Sequence, residues 1–192
     1  MNKIPGIKGA EFSEPVMRAY YFASAAHGAV RQVRKYTAEP YINHPVEVLG
    51  ILSSYCGEKV TDCMRQAALL HDTIEDTGVD AGLIRHLFGG EVARLVLQLT
   101  NATTASYGNR ATRHNLEVKR LSNACWEAQT VKVADLMSNT ASIVERDPAF
   151  AKTYLEEKAL LLKSLNSALP EILEPARAML GAMRTRLEVA AC

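Results

Sequence analysis

The sequence lacks any apolar run long enough to cross a membrane, since a spanning helix needs roughly 18 uninterrupted apolar residues. The N-terminal stretch MNKIPGIKGAEFSEP also lacks the apolar centre of a secretory signal. The four cysteines, Cys56, Cys63, Cys125 and Cys192, include no Cys-x-x-Cys pair and are typical of reduced thiols. We therefore expect a cytoplasmic protein that has no membrane partner.

The sequence also lacks a large excess of either charge, because it has 22 Lys and Arg residues and 21 Asp and Glu residues, with a net charge of +1. Bulk attraction to nucleic acid is therefore not expected. Hydrophobic residues make up 48% of the 192 residues, which excludes disorder as the main state. The chain has no internal repeat, low-complexity tract or long linker, so we expect a single domain over residues 1–192.

Aromatic residues are scarce, at 6%, and so are alternating runs of strand type. Alanine and leucine instead recur at helical spacing, which predicts an all-α bundle of about eight helices. The core is expected over about 13–167, with a C-terminal helix over about 170–189. Proline, glycine and capping residues place the other helices at about 14–28, 45–56, 61–74, 80–88, 91–99, 111–123, 126–145 and 148–167. Thr61 and Asp80 are expected to cap two of them, and residues 100–110 are expected to form a polar loop.

Four titratable residues are concentrated in one short string. His71, Asp72, Glu75 and Asp76 lie within six residues at the end of an apolar helix. His71 continues the apolar stripe of that helix, so its imidazole is expected to point towards the core. A buried carboxylate beside it needs compensation, which a divalent metal held by both side chains would supply.

Two further residues are candidate metal ligands. His44 begins the second expected helix, and Asp135 lies four residues before Asn139 on one polar stripe of an apolar helix. Two imidazoles and two carboxylates suit Mn²⁺, Fe²⁺ or Zn²⁺. Spacing alone does not join these residues into one site, because each also fits a hydrogen-bonded core histidine or a solvated acid.

The order His, His-Asp, Asp resembles that of the HD-domain metal-dependent phosphohydrolases. The strings around it are similar to the hydrolase domain of the Rel/Spo alarmone family, and they occur in family order between about residues 15 and 165. These strings are PYINHP at 40–45, ALLHDTIEDT at 68–77, and VKVAD at 131–135 followed by Asn139.

The resemblance implies a helical HD domain that removes pyrophosphate from the 3′ position of guanosine tetra- or pentaphosphate. It implies Mn²⁺ held by His44, His71, Asp72 and Asp135. Glu75 and Asp76 match the acidic pair of the family, which positions or activates the attacking water. From the residues alone, the same pair also fits a turn that ends a helix.

The segment expected to bind the nucleotide is basic. Residues 15–38 contain no Asp or Glu but include Arg34 and Lys35, and a forked guanidinium suits phosphate oxygens, although a solvated loop is the alternative. By the resemblance, Arg34 and Lys35 contact the nucleotide and Asn139 lies beside its base. Tyr154 matches a ribose or phosphate contact and fits a packing role equally well. The spacing after His27 is longer than is usual in the family.

Two other functions stay open. Another phosphorylated nucleotide such as NADPH fits the same chemistry, because metazoan relatives of this family accept it. A non-catalytic helical module that senses metal or nucleotide is the alternative from a different class, and the intact pair Glu75-Asp76 argues against it. The expected partner is a small nucleotide, and a homo-oligomer is compatible with the sequence.

Overall fold

The computed structural model of this chain describes residues 2–101, 103 and 105–190. The chain divides into two compact units, Met1–Ala102 and Thr103–Cys192. The described residues form α-helices, two short 3-10 turns and one isolated β-bridge, so the predicted all-α class is confirmed. None of the helices in this described part of the chain is both long and apolar enough to span a membrane.

The first unit contains six α-helices in its described residues. They are α1 (Glu14–Ala29), α2 (Asn43–Cys56), α3 (Asp62–Leu70), α4 (Thr73–Thr77), α5 (Ala81–Phe88) and α6 (Gly90–Leu99). Two predicted caps are present, since Thr61 accepts a hydrogen bond from the Met64 N–H at 3.2 Å and Asp80 accepts one from the Leu83 N–H at 2.8 Å. Gly78 ends α4 in the left-handed conformation at φ 76°, which favours glycine.

Helix α3 lies at the centre of this unit and packs against α1, α2 and α6. Its buried face includes Met64, Leu69 and Leu70, none of which is exposed. Burying one such side chain contributes about 1.5–3 kcal/mol. The C-terminal end of α3, from which the His-Asp pair extends, is therefore fixed by the core.

The structure divides the helix expected over 61–74 into two pieces. Helix α3 ends at Leu70 and α4 begins at Thr73. Side chains donate to backbone carbonyls at this break, because His71 Nδ1 lies 2.9 Å from the Ala68 oxygen and Thr73 Oγ1 lies 2.7 Å from the Leu70 oxygen. Such bonds compete with the helical ladder. The acidic pair that follows lies on a short helix rather than in a turn that ends the long one.

The second unit contains four α-helices in its described residues. They are α7 (Arg110–Ser122), α8 (Trp126–Arg146), α9 (Pro148–Ser164) and α10 (Pro170–Ala190). Helix α8 packs against α9 and α10, while α7 packs against α9. The helix expected over 148–167 ends three residues early, at Ser164. In the polar loop expected over 100–110, residues 102 and 104 lie outside the described residues.

Candidate metal centre

Three potential metal ligands meet in the first unit. His44, His71 and Asp72 each offer one ligand atom, and these atoms all lie within 4.8 Å of one another. Asp72 Oδ2 is 3.0 Å from His71 Nε2 and 3.6 Å from His44 Nε2. The structure thus brings together three of the four residues that the sequence indicated as ligands.

Hydrogen bonding determines how His71 faces its neighbours. The Ala68 carbonyl oxygen only accepts, so His71 Nδ1 carries the proton and donates it across 2.9 Å. In a neutral imidazole, Nε2 then presents a lone pair to Asp72 Oδ2 at 3.0 Å. Two such acceptors are stabilised by a cation between them. Two imidazole nitrogens and a carboxylate are a donor set that fits a divalent ion.

The three ligand groups differ in their access to solvent. His44 and His71 are buried, with exposed fractions of 1% and 2%, while the Asp72 side chain is 19% exposed. Protein atoms therefore surround the imidazoles, and the carboxylate is the ligand that water can reach. A catalytic metal site must be open to water and substrate, and Asp72 lies on the side of the cluster that solvent reaches.

Tyr41 orients the Asp72 carboxylate. Its hydroxyl donates a hydrogen bond of 2.6 Å to Asp72 Oδ2, and its ring lies 5.6 Å from the His44 ring. A donor that holds a ligating carboxylate from outside typically adjusts metal affinity. Sequence reasoning missed this residue. The string PYINHP puts Tyr41 close to His44, but nothing in it shows that the phenol reaches a carboxylate 31 positions along the chain.

A folded-back loop after α1 places Tyr41. Arg31 adopts φ 55° and Ala38 φ 57°, both in the left-handed region. The Gln32 N–H donates to the His27 carbonyl at 3.0 Å, and the Gln32 carbonyl accepts from the Tyr41 N–H at 3.2 Å, which closes the loop. A left-handed residue other than glycine costs roughly 1–2 kcal/mol, so the surrounding contacts must outweigh this strain.

The acidic pair lies on α4, where both side chains are exposed and each is held by a different donor. Glu75 Oε2 accepts a hydrogen bond of 3.0 Å from the backbone N–H of Asn101. Asp76 Oδ2 accepts one of 2.8 Å from Gln32 Nε2. Both carboxylates are therefore oriented by the chain and still reach solvent. The assignment of this pair to water activation stays a prediction.

The predicted basic pair lies on the same loop as Tyr41. Arg34 Nη2 is 3.8 Å from Glu47 Oε2. Lys35 Nζ donates to the Tyr36 hydroxyl at 3.0 Å and lies 4.7 Å from the centre of that ring. Both cations belong to the unit that carries the metal centre. Their contact with a nucleotide stays a prediction.

The other three predicted site residues lie in the second unit. Asp135 is buried and accepts from Lys132 Nζ at 2.8 Å and from Asn139 Nδ2 at 2.7 Å. Tyr154 is also buried, Lys158 Nζ lies 5.3 Å from its ring centre, and burial raises the pKa of its hydroxyl. Their roles as metal ligand and nucleotide contacts stay predictions.

Comparisons with known proteins cover most of the chain. A profile of the family described as HD domain matches residues 19–158. Guanosine-3′,5′-bis(diphosphate) 3′-pyrophosphohydrolase MESH1 of Homo sapiens is 34% identical over 82% of this chain and 87% of its own length. The probable guanosine-3′,5′-bis(diphosphate) 3′-pyrophosphohydrolase of Mycoplasma genitalium is 31% identical over 74% of this chain and 21% of its own length.

One solved structure has a similar fold. It is described as a metazoan ortholog of SpoT that hydrolyzes ppGpp and plays a role in starvation responses. The match has a TM-score of 0.80 at 24% sequence identity, and it covers 92% of this chain and 98% of the other. At this identity the likeness concerns the fold alone.

Proposed function

This chain belongs to the HD domain family, and we propose that it hydrolyses guanosine 3′,5′-bis(diphosphate) and the corresponding pentaphosphate at the 3′ position. The observation that carries the proposal is the cluster of His44, His71 and Asp72 on the unit that also carries the exposed pair Glu75-Asp76. Relatives named for this reaction support the proposed substrate, because the match covers 87% of the length of the human relative.

For the metal we propose Mn²⁺, with Zn²⁺ or Fe²⁺ as the alternatives. His44, His71 and Asp72 would hold it, and the family resemblance adds Asp135 as the fourth ligand. These nitrogen and carboxylate donors suit all three ions. A divalent ion held there would act as a Lewis acid and lower the pKa of the attacking water.

The residues of the chain then have distinct tasks. Tyr41 holds the Asp72 carboxylate, and Glu75 and Asp76 orient the attacking water and accept its proton. The water oxygen bonds to the 3′-linked phosphorus while the bond from that phosphorus to the 3′ oxygen breaks. The 3′ oxygen takes up a proton, and pyrophosphate leaves with GDP, or GTP from the pentaphosphate, as the second product.

The nucleotide contacts are part of the same proposal. Arg34 and Lys35 would contact phosphate oxygens, because a guanidinium and an ammonium both donate to them. Asn139 would lie at the base, and Tyr154 would contact ribose or phosphate. The single-domain organisation, the cytoplasmic location and a homo-oligomer remain predictions from the sequence.

A product assay tests this function. Purified chain loaded with Mn²⁺ is offered guanosine tetraphosphate, guanosine pentaphosphate and NADPH, and we expect pyrophosphate from the first two. Release of orthophosphate from NADPH, with no pyrophosphate from either guanosine nucleotide, would contradict the proposed substrate and favour NADPH. Binding without release of either product would favour a sensing module.

The double variant Glu75→Gln with Asp76→Asn tests the mechanism. Both new side chains keep an oxygen that accepts from the Asn101 and Gln32 donors, so the local contacts are preserved. We expect unchanged metal content and nucleotide affinity, with turnover lower by about 10²–10⁴-fold, the usual contribution of an acid–base group. Undiminished turnover would remove both carboxylates from the mechanism.

A further inference from the structure

His27 and Gln32 form a hydrogen-bonded chain that ends on Asp76. Gln32 Nε2 lies 2.8 Å from Asp76 Oδ2, and Gln32 Oε1 lies 2.6 Å from His27 Nδ1. Because a carboxylate only accepts, the amide presents its NH₂ group to Asp76 and its carbonyl to His27. His27 Nδ1 must therefore donate. The direction of both hydrogen bonds is fixed by the acid at the end of the chain.

His27 is a rigid end for this chain. Its exposed fraction is 1%, and its ring packs 4.7 Å from the Tyr41 ring. Its Nε2 is buried and makes no hydrogen bond in the structure. A neutral imidazole that is protonated on Nδ1 carries no proton on Nε2. The hydrogen bond from His27 Nδ1 to Gln32 Oε1 thus orients the Gln32 amide.

The backbone of Gln32 is connected to the metal centre as well. Its carbonyl accepts from the Tyr41 N–H at 3.2 Å, and the Tyr41 hydroxyl holds Asp72 Oδ2 at 2.6 Å. Gln32 therefore contacts Asp76 through its side chain and the residue that orients Asp72 through its main chain. A displaced Gln32 side chain would free the Asp76 carboxylate without removing a metal ligand.

We propose that Gln32 is a positioning residue that fixes the Asp76 carboxylate for proton transfer, and that His27 in turn fixes the Gln32 amide. The role of Asp76 rests on the proposed function, whereas the hydrogen-bond chain rests on the distances above. A hydrogen bond to one oxygen restricts rotation of the carboxylate, so its other oxygen is held closer to one orientation. Such preorganisation affects turnover more than substrate binding.

Two substitutions of Gln32 separate positioning from packing. Gln32→Glu is nearly isosteric but replaces the N–H donor with a carboxylate oxygen, and Gln32→Met removes both polar atoms. We expect each to lower kcat by about 10–100-fold, the usual effect of losing an outer hydrogen bond, with KM and metal content within about twofold of wild type. A side chain that only fills space would leave Gln32→Glu at the wild-type kcat, which would overturn the proposal.

Thr37→Val is the matched control. Thr37 lies on the same loop, is exposed, and donates to Glu39 Oε2 at 3.1 Å. Its hydroxyl has no part in the hydrogen-bond chain, so this variant should keep the wild-type kcat. A loss of kcat equal to that of Gln32→Met would show that the effect comes from disturbing the loop, and it would overturn the proposal.

A double-mutant cycle tests whether Gln32 acts through Asp76. In an Asp76→Asn background, Gln32→Met should lower kcat by no more than about twofold further, because the carboxylate that Gln32 positions is already gone. Losses that multiply would show that Gln32 acts by another route.

The ¹⁵N NMR spectrum of His27 gives a readout that does not depend on activity. The wild type should show a protonated Nδ1 and an unprotonated Nε2, and a proton on Nε2 alone would overturn the chain of bonds. An inactive wild type with the expected spectrum would contradict the proposed function and the kinetic role of Gln32 while leaving the bonds. If the wild type is active and Gln32→Glu has the same kcat, only the positioning role is contradicted.

Discussion

The two units hold their acidic residues in opposite ways. Asp72 in the first unit accepts from the Tyr41 phenol and faces two imidazoles, whereas Asp135 in the second accepts from the Lys132 ammonium and the Asn139 amide. An ammonium offsets a carboxylate with a full charge, whereas an imidazole carries a charge only when it is protonated. An added metal ion would therefore stabilise the acid of the first unit, whereas Lys132 already gives the acid of the second unit a positive partner.

The largest expected effect follows from removing the charge in the first unit. Asp72→Asn keeps the size of the side chain but loses the carboxylate between the two imidazoles. We expect metal to be lost on dialysis and turnover to fall by more than about 100-fold, a larger effect than the loss of a hydrogen bond to a ligand usually has. Helical circular dichroism should be unchanged. Wild-type metal content in the dialysed variant would end the ligand assignment.

Removing the phenol that orients this carboxylate should have a smaller effect. Tyr41→Phe keeps the ring contacts with His27 and His44 but deletes the 2.6 Å hydrogen bond to Asp72. Metal affinity or turnover should fall by about 10–100-fold, the usual effect of losing a hydrogen bond to a metal ligand. Titration with Mn²⁺ and the product assay measure the two quantities. Tyr36→Phe is a control for metal affinity, because it removes a phenol of the same loop that accepts from Lys35. A loss of Mn²⁺ affinity as large as that of Tyr41→Phe would contradict the specific role.

What the sequence could predict here was local. The caps at Thr61 and Asp80 and the cluster of His71 with Asp72 follow from residues a few positions apart, and the structure contains them. The joining of His44 to that pair depended on the family resemblance, because spacing alone left each residue with other interpretations.

The contacts that sequence reasoning missed are long in range. Tyr41 reaches Asp72 across 31 positions, and Gln32 reaches Asp76 across 44. Both depend on a loop that reverses through the left-handed residues Arg31 and Ala38, and neither residue type signals such a conformation. The break after Leu70 was missed for a related reason, since an apolar stripe does not show where side chains compete for the backbone carbonyls.

The second unit should respond to charge removal through stability. In metal-free buffer, Asp135→Asn leaves the Lys132 ammonium without the carboxylate at 2.8 Å, so the free energy of unfolding should fall by about 1–3 kcal/mol. Asp72→Asn in the same buffer should show a smaller loss, because an imidazole is a weaker counter-charge than a lysine ammonium. Urea unfolding with chelator compares the two. Equal losses would contradict the difference drawn between the units. Metal retention in Asp135→Asn separately tests the proposed fourth ligand.

The smallest expected effect concerns a surface pair of the second unit, which should affect stability without reaching the metal. Arg110 Nε and Nη2 each donate at 2.7 Å to one oxygen of the Glu157 carboxylate, and the guanidinium lies 4.7 Å from the Phe150 ring centre. The hydrogen bond from Arg110 lowers the pKa of Glu157 below its ordinary value of 4.5. A lowered pKa gives stability that is present above pH 4.5 and is lost as the pH falls through the folded value.

Arg110→Met should therefore reduce the free energy of unfolding near neutral pH but not in acid. Arg110 is 55% exposed and solvent screens the pair, so the loss should stay below about 1 kcal/mol. It should vanish once Glu157 is protonated in both the folded and the unfolded chain. Metal content should match wild type throughout, because neither Arg110 nor Glu157 is a proposed metal ligand. Urea unfolding at neutral pH and again in acid measures the difference, and a loss of the same size at both pH values would show that stacking on Phe150, rather than the ion pair, accounts for it.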